Sequence, residues 1–493
     1  MNIIARKTHY EIYGYLPGMY PKLEEMFSIW DQSRFQRTNY YHYDPDDQIL
    51  YLPRGLDPLF LKNETGLPVI EDTVCNPSLP ATFNVMVEPR DSAQKESVRF
   101  LLGKEEYVYT KKASQLVLSL PGGGGKTYCM VSAMSFFRMK AIIIVHNEKI
   151  RSQWVDRIQS YSNLPESSIN VLTSTEKVHE FLSGKRVVEK ELSKSACFIC
   201  THRLLMNYMT KYGFHSLNEL FIKLGIGIKI IDEAHKEFKS TLMIDYTTNV
   251  EKSFYLTATF KRSDYKEDTI YQRSFHQVYK LVRSDEEIGH ERNVKYVAYL
   301  VKSNISPVQE AHLTVRGRFN IHRYFEFEMD NMELFSTISY WLDWYYNKNG
   351  FTGKAFLLSS KKDSCDLCDK IAKQVCPDKK SSVHYTGNKV DDISEYDIIS
   401  ATDMMLGTGT DLGDLNLIVN LVPIGSSANI DQIIHRLMRG NNMDDAYYIE
   451  GIDSSVSQVV KMFNRRIKVI RKIVKKVLIF SKQYDENKKD YDI

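Results

Sequence analysis

The sequence predicts an α/β protein of two tandem lobes, each a parallel sheet flanked by helices. A small N-terminal α+β accessory domain precedes them and a C-terminal basic helix follows. Three observations predict this. Short β-branched or apolar runs alternate with helical patterns from about residue 88 to residue 451, which is how a sheet buried on both faces reads. The alternation occurs twice, with a less regular stretch after about residue 262. A glycine-rich turn ending in Lys-Thr joins one run to a helical pattern, as in phosphate-binding loops of parallel sheets.

Composition bounds the rest. A chain of 493 residues suggests about three domains at ~150 residues each. Its 43% hydrophobic content is that of a folded globular protein and excludes a disordered or fibrous one. A net charge of +3 excludes a uniformly basic surface but leaves room for a basic groove. No run approaches the ~18 apolar residues of a spanning helix, and Met1-Asn2-Ile3-Ile4-Ala5-Arg6-Lys7 does not read as a secretory signal. Seven cysteines without dense spacing fit a reducing compartment, so the expectation is a cytoplasmic protein.

Four segments follow. Residues 1–87 are rich in tyrosine, with a helix-like stretch at Lys22–Ile29, a strand between turns at 46–55, and a linker or extended connection over 63–89. Residues 88–262 form the first lobe, with strands expected at Ser114–Leu120, Ala141–Val145, Ala196–Thr201, Ile226–Ile231 and Ser253–Thr257. Residues 263–451 form the second, with strands at Lys354–Leu358, Ser382–Tyr385, Asp397–Ala401, Leu417–Leu421 and Ala446–Glu450. Residues 452–493 read as a basic helix and tail, because Phe463, Ile467, Ile470, Val474 and Val477 recur three and four apart between arginines and lysines.

The chemistry starts at Leu120-Pro121-Gly122-Gly123-Gly124-Gly125-Lys126-Thr127. Small residues let backbone N–H groups close on phosphates above a helix N-terminus. Lys126 can reach the terminal phosphates, and the Thr127 hydroxyl can hold Mg²⁺. Leu120 stands where the simple pattern has glycine. Downstream, Ile230-Ile231-Asp232-Glu233-Ala234-His235 ends an apolar run. Two adjacent carboxylates there can divide the work, Asp232 for the metal and Glu233 for the attacking water.

With both strings in place, the chain resembles a superfamily 2 helicase, and further motifs fall in that order. Pro89–Gln94 resembles the adenine-reading segment, with Gln94 as donor and acceptor. Ile144–Asn147 with Gln153-Trp154 resembles motif Ia, and Thr201-His202-Arg203 resembles motif Ib. Leu256-Thr257-Ala258-Thr259 resembles motif III. Phe356–Ser360 resembles motif IV, His384–Gly387 the strand and turn after it, Ala401–Asp411 motif V, and Gln432–Gly440 motif VI, where His435 replaces the usual glycine. The resemblance implies two RecA-like lobes and the cofactors ATP and Mg²⁺. It assigns Gly122, Gly123, Gly124, Gly125, Lys126, Thr127, Gln94, Gly409 and Asp411 to nucleotide. It assigns Glu233, Lys126, Gln432, Arg436 and Arg439 to catalysis, and His235, Thr257 and Thr259 to coupling. Asn147, Thr201, Arg203, Thr386 and Thr402 would contact nucleic acid.

The N-terminal order of elements is similar to that of phage UvsW-type branch-migration helicases. That narrower likeness implies work on branched DNA such as forks and recombination intermediates. An RNA-directed or transcript-releasing ATPase is the alternative within the same motor. A nucleotide-gated DNA clamp or loader without translocation is the alternative outside it.

Three weaker features have plainer readings. Cys365, Cys368 and Cys376 near His384 read as buried thiols rather than a zinc site. Cys197 and Cys200 fall three apart on a strand and so on opposite faces. Arg316-Gly317-Arg318-Phe319 reads as a connection or the tip of a hairpin.

Overall fold

The computed structural model describes residues 1–481 except 32–35, 73, 263, 284–293, 316–317, 386–392, 403–414, 424–432, 435–436, 438–445 and 472–473. The chain divides into two compact units, Met1–Ile288 and Gly289–Ile493.

The first unit holds two sheets. Its N-terminal strands are β1 (Ile3–Ala5), β2 (His9–Tyr13), β3 (Ser28–Asp31), β4 (Gln36–Asn39), β5 (His42–Asp44), β6 (Ile49–Pro53) and β7 (Val69–Glu71). Five of them form a sheet in the order β5-β6-β2-β1-β7, and β3 pairs with β4 as a separate hairpin. The expected helix at Lys22–Ile29 is shorter, Pro21–Met26. Ser28 and Ile29 belong to β3 instead, paired with Asn39 and Thr38.

Next come β8 (Gln115–Ser119), β9 (Lys140–Val145), β10 (Ile169–Val171), β11 (Cys197–Thr201), β12 (Ile226–Ile231), β13 (Lys252–Thr257) and β14 (Tyr279–Val282). They form one parallel sheet in the order β10-β11-β9-β12-β13-β8-β14. The two edge strands were not legible in the sequence, since both are short and partly exposed. Cores lie on both faces. Val117, Ile142, Cys200 and Ile231 share one core with the N-terminal sheet. Leu116, Ile143, Cys197 and Ile230 belong to the other. Thus Cys197 and Cys200 do face opposite sides of β11.

The N-terminal sheet is locked to the lobe by buried polar contacts. Thr8 Oγ1 donates to the Thr248 carbonyl (2.5 Å), and Gln115 Nε2 donates to the Thr8 carbonyl (3.1 Å). Beneath them lies the buried ion pair Lys229–Asp245 (2.6 Å). Gly55 lets the backbones touch, because a Cβ there would run into the carbonyl of Ser274. The expected connection over 63–89 begins instead inside a helix, Pro58–Thr65, and includes β7; beyond it, Leu79 N–H bonds the Gly225 carbonyl and Ala81 N–H that of Arg138.

The second unit contains β15 (Val294–Val301), β16 (Thr314–Val315), β17 (Arg318–Phe319), β18 (Lys354–Ser359), β19 (Ser381–His384), β20 (Ile398–Thr402), β21 (Leu415–Asn420), β22 (Ala446–Asp453) and β23 (Lys476–Ser481). Its main sheet is again seven-stranded and parallel, in the order β19-β20-β18-β21-β22-β15-β23. Strands β16 and β17 pair antiparallel, Thr314 with Phe319 and Val315 with Arg318, while Arg316 and Gly317 of the Arg316–Phe319 reading lie outside the described residues. Cys365 and Cys368 are fully buried on the helix Lys362–Val375.

The C-terminal segment departs from expectation. Its helix covers Ser457–Ile470 only, and Val477 lies in β23, paired beside β15. The apolar run Val477-Leu478-Ile479-Phe480 explains the switch: four consecutive apolar residues suit a sheet edge better than one stripe of a helix. Arg466 is also not on a solvated basic face. It is 1% exposed and ion-paired to buried Glu450, which also accepts from Tyr296 Oη.

Candidate nucleotide site

The site is built at the carboxyl edge of the first unit's parallel sheet, where strand ends and helix N-termini meet. Strand β8 runs into Leu120, whose N–H bonds the Thr257 carbonyl at the end of β13. The chain then turns through the four glycines into the helix Lys126–Phe137. Gly123 and Gly125 take φ of 80° and 82°, a region that favours glycine. Gly125 is needed for a second reason, because a Cβ there would strike Gln94 Nε2.

Gln94 is buried in the first turn of the helix Ser92–Leu102, which Asp91 caps by accepting from the Gln94 N–H (2.7 Å). Its Oε1 accepts from the Arg90 N–H (2.7 Å). Arg90 also reaches the Gly123 carbonyl (3.2 Å), tying this segment to the glycine turn. Lys126 Nζ donates to the carbonyls of Leu120 (2.6 Å) and Pro121 (3.2 Å), which hold the ammonium over the loop.

Asp232 and Glu233 follow β12, two strands from β8. Burial and the charge of Glu233 push the Asp232 carboxyl upward. Burial would raise Glu233 as well, but Lys126, His235, Lys236 and His146 outweigh it and hold that carboxyl low. Glu233 sits at φ 51°, an uncommon backbone state for a residue with a side chain. Its Oε2 is buried without a hydrogen bond, 3.3 Å from His235 Nδ1.

His235 leads on to β13. Its Nδ1 lies 2.8 Å from Thr257 Oγ1, which donates its own hydrogen to the Thr259 carbonyl (2.6 Å). With that hydrogen spent, Thr257 must accept here, which assigns the Nδ1–H tautomer to His235. Burial pushes the His235 ring down to about 4, so it is neutral near pH 7. The structure therefore brings together Gln94, Gly122–Gly125, Lys126, Thr127, Asp232, Glu233, His235, Thr257 and Thr259.

Other expected residues lie further along the same edge or elsewhere. Asn147 caps the helix Glu148–Tyr161 by accepting from the Ile150 N–H (3.0 Å). Thr201 is buried and caps the helix His202–Tyr212, while Arg203 is exposed. Thr402 ends β20 in the second unit. Thr386, Gly409, Asp411, Gln432, Arg436 and Arg439 lie outside the described residues.

One residue had no role assigned from sequence. Trp154, 3% exposed, donates its indole N–H to Asp232 Oδ2 (2.9 Å) across 78 positions of sequence. An indole only donates, so it orients the carboxylate and leaves Oδ1 for other partners. The nearest sequence signal was its place beside Gln153 in the stretch read as motif Ia.

A neighbouring histidine gives a pH prediction. His202 is 2% exposed and neither ring nitrogen has a partner. Burial pushes it down to about 3. Below the ordinary value of 6.5 the unfolded chain takes up a proton that the buried ring refuses. Stability is therefore greatest above pH 6.5 and falls toward pH 3. His202→Leu removes this term. Urea unfolding at pH 7.5 and pH 5.0 should show the variant gaining about 2 kcal/mol relative to wild type at the lower pH. An equal difference at both pH values would contradict the assignment.

Comparisons with known proteins agree with this geometry. Residues 87–262 match the family model described as type III restriction enzyme, res subunit. The match spans the first parallel-sheet lobe and its candidate nucleotide site, and each of the two units carries a seven-stranded parallel sheet flanked by helices. Saccharomyces cerevisiae Dbp5 bound to RNA and ADP BeF3 is 13% identical, covering 80% of this chain and 91% of that one, with a TM-score of 0.52. Phage T4 UvsW is 15% identical, covering 98% of this chain and 99% of that one, with a TM-score of 0.38. The Pyrococcus furiosus Hef helicase domain is 12% identical, covering 75% and 99%, with a TM-score of 0.47. No curated protein matches the chain in sequence. Among the described residues, no helix is long and apolar enough to cross a membrane.

Proposed function

We propose that the chain is an ATP-driven motor that moves on nucleic acid and remodels branched DNA. The observation that carries the motor reading is the continuous line from Lys126 through Glu233 and His235 to Thr257 and Thr259 at one sheet edge. It joins a phosphate-binding loop to the segment read as motif III. The order of elements in residues 1–87 supports the DNA task.

The residues fit a nucleotide with its metal. Gly122–Gly125 and the N-terminus of Lys126–Phe137 present backbone N–H groups to anionic oxygens. Lys126 exchanges its two carbonyls for phosphate oxygens, a stronger partner for an ammonium. Thr127 and Asp232 would hold Mg²⁺, which neutralises phosphate charge when bound. Trp154 keeps Asp232 in orientation. Glu233, held ionised, accepts a proton from water through its unused Oε2. His235 stays neutral and passes a change at Glu233 to Thr257 by one hydrogen bond. The resemblance gives Gln432, Arg436 and Arg439 to catalysis, guanidinium being suited to spread phosphoryl charge. Gly409 and Asp411 would hold the ribose, and Asn147, Thr201, Arg203, Thr386 and Thr402 the nucleic-acid backbone.

Steady-state ATPase measurements with single-stranded DNA, linear duplex, a four-way junction and RNA test the task. The reading predicts strongest stimulation by the junction. Stimulation by RNA alone would replace it with an RNA-directed motor.

A further inference from the structure

Hairpin β3–β4 and the residues after it form an open groove on the N-terminal domain that the nucleotide site does not use. Two cavities lie along it, of about 620 Å³ beside Trp30, Arg37 and Lys266, and about 400 Å³ beside Tyr15, Tyr41, Tyr43 and Lys239. Ser28, which lines the first, is hydrogen-bonded to Asn39, which lines the second (3.0 Å). Arg37 lines the first cavity and Asn39, Tyr41, His42 and Tyr43 line the second, while Tyr40 among them is buried.

Trp30 is the telling residue. It is 52% exposed, whereas the other three tryptophans, Trp154, Trp341 and Trp344, are at most 8% exposed. Its register partner across the hairpin is exposed Arg37. Leaving an indole in water beside a guanidinium gains nothing for folding. The same pair offers a flat stacking surface and a phosphate partner. Lys239 and Lys266 add exposed cations on the two cavities. Of the acids at the rim, Glu24 is already engaged, accepting from Tyr15 Oη and the Gly18 N–H. Among the described residues, Glu25 is the other carboxylate lining the first cavity.

The groove is also tied to the motor segment. Tyr40 Oη donates to Glu267 (2.6 Å), and Glu267 is ion-paired to Arg262 (2.5 Å), three residues beyond Thr259.

We propose that this groove binds one strand of nucleic acid, with bases on Trp30 and the tyrosines and phosphates on Arg37, Lys239 and Lys266. The identity of the occupant rests on the nucleic-acid reading above. Aromatic surfaces interleaved with cations accept unpaired bases of any sequence, whereas a duplex keeps its bases stacked inside.

The test is tryptophan fluorescence of the full chain titrated with oligothymidylate, oligouridylate, a hairpin duplex and heparin. Labelled-strand anisotropy is measured alongside. Strands should quench the emission, duplex and heparin should not, and Trp30→Phe should abolish the quench. Trp30→Ala should weaken strand binding about ten-fold. Arg37→Glu with Lys266→Glu should weaken it and flatten its salt dependence. Comparing the two oligonucleotides tells whether DNA or RNA is the strand held. Quenching that survives Trp30→Phe, equal quenching by heparin, or unchanged anisotropy in Trp30→Ala would overturn the proposal. A chain that binds strands with no effect of Trp30 loses this inference alone. A chain that binds no nucleic acid loses the motor reading too.

Discussion

Glu233→Gln is expected to bind ATP but hydrolyse it on the order of 10²–10⁴-fold more slowly, the usual worth of a positioned general base. The amide keeps the size of the carboxylate and so preserves the strained turn at φ 51°. It cannot take a proton. It also removes the negative charge that Lys126 and His235 face. The variant should therefore retain nucleotide affinity while losing turnover, which separates kcat from KM. Nucleotide binding by equilibrium dialysis and steady-state hydrolysis check this together. Near-normal turnover would move the base elsewhere.

Lys229→Met is expected to cost about 3–5 kcal/mol of stability in the first unit, because it strands a buried carboxylate. Lys229 is fully buried, with Asp245 at 2.6 Å and Thr248 Oγ1 at 2.8 Å. Burial pushes the Lys229 ammonium down and the Asp245 carboxyl up, and the charge of each opposes the shift of the other. Asp245 also accepts from Tyr255 Oη (2.8 Å), and its backbone carbonyl meets His9 Nδ1 (2.9 Å). The loss therefore reaches the docked N-terminal sheet. Removing both charges, as Lys229→Met with Asp245→Asn, should cost less than the single change. Thermal unfolding of the two variants decides it. Equal losses would mean that the pair is not coupled.

What was legible in the sequence was local. The glycine turn, Lys126-Thr127 and Asp232-Glu233 announce themselves because their chemistry is carried by neighbours in sequence. Ten of the strands in the two lobes could be read from apolar runs, and the two-lobed arrangement followed. The misses share a cause: their partners are distant. Strand β14 looks like loop until it is seen beside β8, and β15 gains its meaning between β22 and β23. Arg466 sits in a basic run that reads as solvated, yet Glu450 on β22 draws it inside. The stripe Phe463–Val477 keeps helical spacing across a helix end at Ile470, so periodicity alone could not separate helix from strand. Trp154 offers an indole whose partner lies one strand over.

The most direct test of the motor is displacement of a triplex-forming strand from linear duplex DNA. The account predicts displacement that requires ATP and disappears in Glu233→Gln. DNA-stimulated hydrolysis without displacement would contradict it and leave a nucleotide-gated clamp.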